Sequence, residues 1–386
     1  MSVSVIYTHT IINRLSYHIL VSLEPLREDE HMKILFTFYV PSGGVETLNR
    51  LRCETLRKYG VEGHLLYTSP GSGLQNITDT PTYVTNYDED ISQILEAQKF
   101  DAIVVTSDYL MTERLRRLQF PGPIIFEAQG FGTMEQAHRL VEDASFYLKS
   151  YCQAVVLPPT SHLIELFNQV CPWLRQFIIM NMVDTSVFHP RDIGVSPHPI
   201  LGWVGRLEKN KNWVEYLNIG HRLSQIMPNL ELRMLTDETL AAPEEQYNFK
   251  KWVANLNLTR LQTVSNVPHN QMPIQYSMIA NSGGFLLSTS MVEGFGYAVG
   301  EAIACGCPVV STDSDGVRSF IKHNQTGKFY SLGNVDEAVS EGLDMMRNLP
   351  LRQYICEQGI RLITESFAPV NYAGSFIHMM NCLDVS

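Results

Sequence analysis

Apolar positions along the chain fall into two successive cycles in which short buried runs alternate with helical spacings. Met32, Ile34, Leu35, Phe36 and Phe38 read as a buried first strand. A turn at Pro41, Ser42, Gly43 and Gly44 follows, and then Val45, Leu48, Leu51 and Leu56 recur near the helical period over 45–59. Further strands are predicted at 63–67, 102–106, 123–127 and 154–157, with helical patterns at 91–98 and 109–118. The Pro-containing stretch 191–199 has the composition of a linker. A second cycle opens with a strand at 200–204 and continues with strands at 230–235, 263–267, 284–288 and 308–311. Such alternation implies parallel sheets, here two doubly wound α/β domains facing each other. Ligands of such sheets bind beyond the carboxyl ends of the strands, so a site is expected in the cleft between the halves. Residues 1–31 lack clear periodicity and are expected to be a disordered extension ahead of domains at 32–190 and 200–366.

Composition narrows the class. A length of 386 residues suits two or three domains of roughly 150 residues each. With 45% apolar and 18% charged residues the chain is neither disordered nor of low complexity. A net charge of −11 carries no overall footprint for nucleic acid. Seven cysteines without paired metal spacing read as reduced thiols of a cytoplasmic protein. No apolar run approaches the roughly 20 residues of a membrane span, and the stretch 18–23 is too short and interrupted for a signal peptide.

Two segments carry candidate chemistry. Over 284–302 the pattern is strand, loop and helix. If Glu293 and Glu301 shared one helix they would stand about 12 Å and two turns plus roughly 80° apart, which is poor geometry for a shared proton. A loop with Gly294 and Gly296 running into a helix from about Tyr297 fits better. It would aim free N–H groups at a phosphate, with Glu293 and Glu301 gripping hydroxyls on either side. An ordinary crossover with solvated glutamates is the plainer reading. A dinucleotide fingerprint from Gly294, Gly296 and Gly300 with Asp313 is another, although the spacing differs from G-x-G-x-x-G. The second segment, 201–212, runs from a strand into a polar turn with Arg206, Lys209 and Lys211. An Arg fork and a Lys point charge supply what a departing diphosphate needs without metal; a solvated basic turn is the alternative.

Taken together, these segments resemble the retaining glycosyltransferases of family 4, within the glycosyl transferases group 1. The likeness runs from Met32 nearly to the carboxyl terminus. It rests on Gly43, Gly44, Val45 and Glu46, on the segment 181–190, on Gly205 and Arg206 with Lys211, and on Glu293 with Glu301. It implies the GT-B fold, two Rossmann-like domains across a cleft, the first on the acceptor side and the second binding a nucleotide sugar. Arg206 and Lys211 would then hold the donor diphosphate, and Gly44 would back the cleft. Glu293 would contact sugar hydroxyls, backbone N–H groups at Phe295, Gly296 and Tyr297 would serve sugar and phosphate, and Glu301 would accept from the ribose hydroxyls. The implied reaction moves a hexose-type sugar from a nucleoside diphosphate, foremost UDP, to a glycan, lipid-linked or small-molecule hydroxyl. No metal and no cofactor beyond the nucleotide sugar is implied. The acceptor attacks the face the nucleotide leaves, and the departing phosphate helps take its proton, so no dedicated nucleophile is needed, unlike the carboxylate pairs of glycosidases. The segment 367–386 resembles the family's last helices, which cross back to the first domain.

Several positions depart from the family pattern. Gln129 stands where His is common; its amide can hydrogen-bond a sugar hydroxyl or the acceptor but cannot titrate near neutral pH. Thr289 replaces a frequent Pro, and 313–316 replaces paired glycines. Gln129 and the altered Asp315 region leave a catalytically silent partner of another glycosyltransferase as one alternative, and the glycine loop leaves a nicotinamide-dependent oxidoreductase as another. Asp313, Ser314 and Asp315 also match a metal-binding D-x-D pattern, with a plain turn favoured by position. Arg114, Arg116 and Arg117 with Leu115, Leu118 and Phe120 could make a basic, apolar face for weak peripheral contact at the inner side of a membrane, with a solvated helix face the favoured reading.

Overall fold

The computed structural model of the chain describes residues 31–194, 196–237 and 241–385. The expected extension, apart from His31, lies outside the described residues. The first domain begins with β1 (Met32–Phe38), α1 (Gly43–Arg57), β2 (Val61–Tyr67) and β3 (Thr82–Val84). It continues with α2 (Asp88–Gln98), β4 (Ala102–Thr106), α3 (Tyr109–Arg117), β5 (Ile124–Glu127), α4 (Met134–Tyr151), β6 (Ala154–Leu157), α5 (Ser161–Val170) and β7 (Arg175–Ile178). Its parallel sheet has the order β3-β2-β1-β4-β5-β6-β7.

The second domain starts with β8 (Ile200–Val204), α6 (Trp213–Ile226), β9 (Glu231–Thr236), α7 (Pro243–Asn255), β10 (Leu261–Ser265) and α8 (Met272–Asn281). Then come β11 (Phe285–Ser288), α9 (Tyr297–Ala304), β12 (Val309–Thr312), β13 (Lys328–Tyr330), α10 (Val335–Arg347) and α11 (Leu349–Ser366). Its parallel order is β10-β9-β8-β11-β12-β13. In each sheet the chain leaves the first strand toward one edge and returns on its other side, between β1 and β4 and between β8 and β11. Loops diverge at such switch points and leave a crevice.

The strands at 82–84, 175–178 and 328–330 had no counterpart in the hydrophobic pattern. All three lie at sheet edges, and β3 and β7 contain no buried residue, so they lack the continuous apolar run of a strand covered on both faces. The last helix, α12 (Pro369–Cys382), returns to the first domain and packs on α1. Phe376 of this helix packs against Phe36 of β1, with tilted rings 5.8 Å apart between centroids. Ahead of it Phe367 meets Phe320 at 4.6 Å, and the Val183 N–H donates to the Phe367 carbonyl at 2.9 Å. One apolar cluster thereby spans both domains.

The basic, apolar face expected on α3 is corrected by the packing. Leu115 and Phe120 are buried. Arg114 and Arg117 pair with Asp88 at 2.6 and 3.0 Å, and Arg116 donates to the carbonyls of Phe120 and Gly122, each at 2.7 Å. The apolar side chains belong to the core and the cations have partners within the domain. Among the described residues no helix is long and apolar enough to cross a membrane.

Candidate functional site

Where the switch points of the two sheets face each other, a cleft of about 460 Å³ opens, lined by Gly44, Gln129, Arg206, Lys211, Glu293, Phe295, Gly296, Tyr297 and Glu301. These are the residues that the sequence motifs single out, and the topology brings them together. Arg206 and Lys211 follow β8, while Glu293 and its neighbours follow β11, the strand beside it. Lys211 Nζ lies 2.5 Å from Glu293 Oε1. Arg206 is half exposed and touches Glu208 at 3.3 Å.

Two residues to which the motifs assign no role hold these loops in register. Asn210 is bonded three times to the neighbouring loop: its side chain to the Val292 carbonyl (2.9 Å) and N–H (3.1 Å), and its carbonyl to the Met291 N–H (2.8 Å). Thr289, fully buried, accepts from Trp203 Nε1 at 3.0 Å and donates to the Lys211 carbonyl at 2.8 Å. A proline there has no hydroxyl for either bond. The departure at Thr289 thus anchors the backbone that carries Lys211.

Beyond Glu293, Gly296 adopts φ +85°, a conformation open to glycine at little cost, and starts α9 with no side-chain cap. The leading N–H groups of a helix have no partner within it. The opposite wall comes close. A Cβ at Gly44 would stand 3.1 Å from the Tyr297 ring, and one at Gly130 would stand 3.0 Å from the Gly294 backbone. Glycine at 44, 130 and 294 lets the first domain approach the α9 terminus without side chains between.

Glu301, in α9, is buried. His269 Nε2 lies 2.8 Å from one of its carboxylate oxygens, and the Tyr276 hydroxyl donates to the other at 3.2 Å. Burial pushes the Tyr276 and Tyr297 phenols well above their ordinary pKa, so both stay protonated. His269 also reaches the first domain: Arg50 Nη2 of α1 is 2.9 Å from its Nδ1. No motif pointed to His269, because its partners are remote in sequence.

Gln129 follows β5, and its amide exchanges bonds of 3.2 and 2.9 Å with Asn181. Beneath it, Glu127 and Arg52 form a fully buried pair at 2.9 Å, and Thr106 donates to Glu127 at 2.7 Å. In the D-x-D segment Arg318 pairs with Asp313 at 2.7 Å and with Asp315 at 2.9 Å. Asp315 also contacts His162 of α5 across the domain boundary. The described residues include no group of three or more His, Cys, Asp or Glu disposed to hold a metal.

Residues 190–361, which contain both candidate segments, match the family described as Glycosyl transferases group 1. The matched segment takes in most of the second domain. A D-inositol 3-phosphate glycosyltransferase of Pseudarthrobacter chlorophenolicus is 29% identical over 153 residues, or 38% of this chain and 36% of that protein. The matches span 36% and 44% of the first curated relatives' lengths. Among solved structures, Anabaena Alr3699/HepE in complex with UDP-glucose has a TM-score of 0.77 at 16% identity, over 91% of this chain and 100% of that one. Sucrose-phosphate synthase from Thermosynechococcus elongatus gives 0.75 at 15% identity, over 92% and 99%. At these identities the structural likeness establishes the fold, GT-B, with both domains included. The glycine loop after β11 lies within the matched segment and lines the cleft between the two domains.

Proposed function

We propose that the chain is a retaining glycosyltransferase that moves a hexose-type sugar from a UDP-linked donor to an acceptor hydroxyl, with no metal ion. The observation that carries this reading is the convergence of Arg206, Lys211, Glu293 and the uncapped α9 terminus on one interdomain cleft of a group 1 fold. UDP is favoured because a protein of the same fold is described in complex with UDP-glucose.

In this reading the diphosphate lies against Arg206, Lys211 and the first N–H groups of α9. Lys211 spends one ammonium proton on Glu293 and keeps two for phosphate oxygens. As the bond from the anomeric carbon to the phosphate oxygen breaks, negative charge grows on that oxygen. Prepositioned cations and N–H groups stabilise it without reorganising. Glu293 accepts from a sugar hydroxyl, and Glu301 uses its remaining lone pairs for the ribose. The acceptor hydroxyl attacks the face the nucleotide leaves, and its proton passes to the departing phosphate oxygen. Gln129, held by Asn181, supplies a hydrogen bond rather than a proton.

The test is to incubate the protein with a panel of UDP-sugars and simple glycoside, lipid-linked and glycan acceptors, following UDP release and the product's anomeric configuration by NMR. Transfer with retained configuration, undiminished by EDTA, is expected. An inverted product would end the retaining assignment. Loss with EDTA and recovery with manganese would end the metal-free one. Nucleotide binding without turnover over the whole panel would point instead to a catalytically silent partner.

A further inference from the structure

We infer that His269 is a positioning residue that aims Glu301 at the donor ribose, and that the first domain sets its orientation. The inference rests on the proposed donor site and goes beyond it by naming what controls its ribose grip.

Hydrogen-bond polarity fixes the state of the ring. A guanidinium only donates, so His269 Nδ1, 2.9 Å from Arg50 Nη2, must be the accepting, unprotonated ring nitrogen. The ring proton then sits on Nε2, which faces Glu301 Oε1 at 2.8 Å and donates to it. The ring thus relays the place of one domain to a carboxylate of the other. A second contact fixes the same residue. The His269 backbone N–H donates to Asn76 Oδ1, also of the first domain, at 3.2 Å. The Phe188 ring, 4.9 Å away between centroids, limits the tilt of the imidazole. With Tyr276 on the second oxygen, the carboxylate is held from two sides at the wall of the cleft. If the first domain moves away, Arg50 and Asn76 leave His269 together and Glu301 loses its aim. Ribose recognition is therefore complete only when the domains are docked.

The experiment measures affinity of the full chain for UDP and for its 2′,3′-dideoxy analogue by calorimetry. Wild type is expected to prefer UDP by about tenfold or more, since charge-assisted bonds to the hydroxyls are at stake. His269→Ala should lose most of that preference while binding the dideoxy analogue nearly as before. His269→Gln, whose amide offers an acceptor and a donor about as far apart as the imidazole nitrogens, should restore it. The double variant His269→Ala/Glu301→Gln should discriminate no worse than Glu301→Gln alone, the signature of one residue acting through another. Arg50→Met should erode the preference as well. Equal weakening of both nucleotides by His269→Ala, or an unchanged preference, would overturn the positioning role. A preserved preference in Arg50→Met would overturn control by the first domain. Wild type that binds neither nucleotide would bring down the donor-site reading itself, a result distinct from a wild-type preference that survives His269→Ala.

Discussion

Lys211 and Glu293 meet at 2.5 Å with side chains 21% and 14% exposed, so neither charge is well served by water alone. Removing either one therefore disturbs the other. In the proposed donor site, Lys211→Ala takes a charge-assisted contact from the diphosphate and leaves Glu293 an unbalanced anion beside it. Loss of about tenfold to hundredfold in kcat/KM is expected from such a contact, read from initial rates over a donor series; unchanged kinetics would remove Lys211 from the site. Lys211→Arg is not a neutral exchange, because a planar fork cannot take the place of a point charge on Glu293 without moving the loop. Both acids and both cations were legible as types at particular spacings. Their pairing was not, nor was Thr289 as the buried peg beneath Lys211, because a hydroxyl's partners depend on which strand lies beside it.

Among the elements, α1 and β5 are joined by a fully buried ion pair. The Arg52 guanidinium lies 3.9 Å over the Phe36 ring and pairs with Glu127 at the end of β5, where the chain turns to Gln129 and Gly130. Removing one partner of a fully buried pair strands the other charge. Arg52→Met should therefore cost about 3–5 kcal/mol, measured by urea unfolding, whereas the double change to Arg52→Met/Glu127→Leu should recover much of the loss. A cost below about 1 kcal/mol would mean that water reaches the pair. The central strands were readable because burial on both faces demands an uninterrupted apolar run, as in β4 with all five residues buried. The edge strands β3 and β7 were not, since half their environment is solvent. The basic face expected on α3 failed for a related reason: spacing says which residues share a helix side, but not that Asp88 of α2 waits opposite.

For the whole molecule, one apolar cluster runs from β1 through α12 to Phe295, Phe320 and Phe367 and joins the two domains. Phe376, buried against Phe36 and Tyr372, is its link to the first sheet. Phe376→Ala should cost about 3–5 kcal/mol through lost burial and the cavity left behind. Calorimetry should show both domains destabilised together in a single transition; a second transition with one domain unaffected would mean that α12 is only a tether. Polar contacts also cross the boundary, among them Ser72 with Asp237 at 2.5 Å and Arg50 with His269 at 2.9 Å. Together with the close approach of Gly130 to Gly294, they set the width of the cleft.

The sequence by itself determined the two α/β cycles, the loops after β8 and β11, and the residue types gathered there. Those arise from local rules: backbone period, burial alternation, and the needs of a turn or a helix start. Tertiary structure alone decided that Lys211 faces Glu293, that His162 meets Asp315, and that His269 joins α1 to α9. Each of these is a contact between side chains brought together by the fold. Polar residues carry no period that records their partner, so the pairing emerges only when packed apolar faces have brought the elements into register.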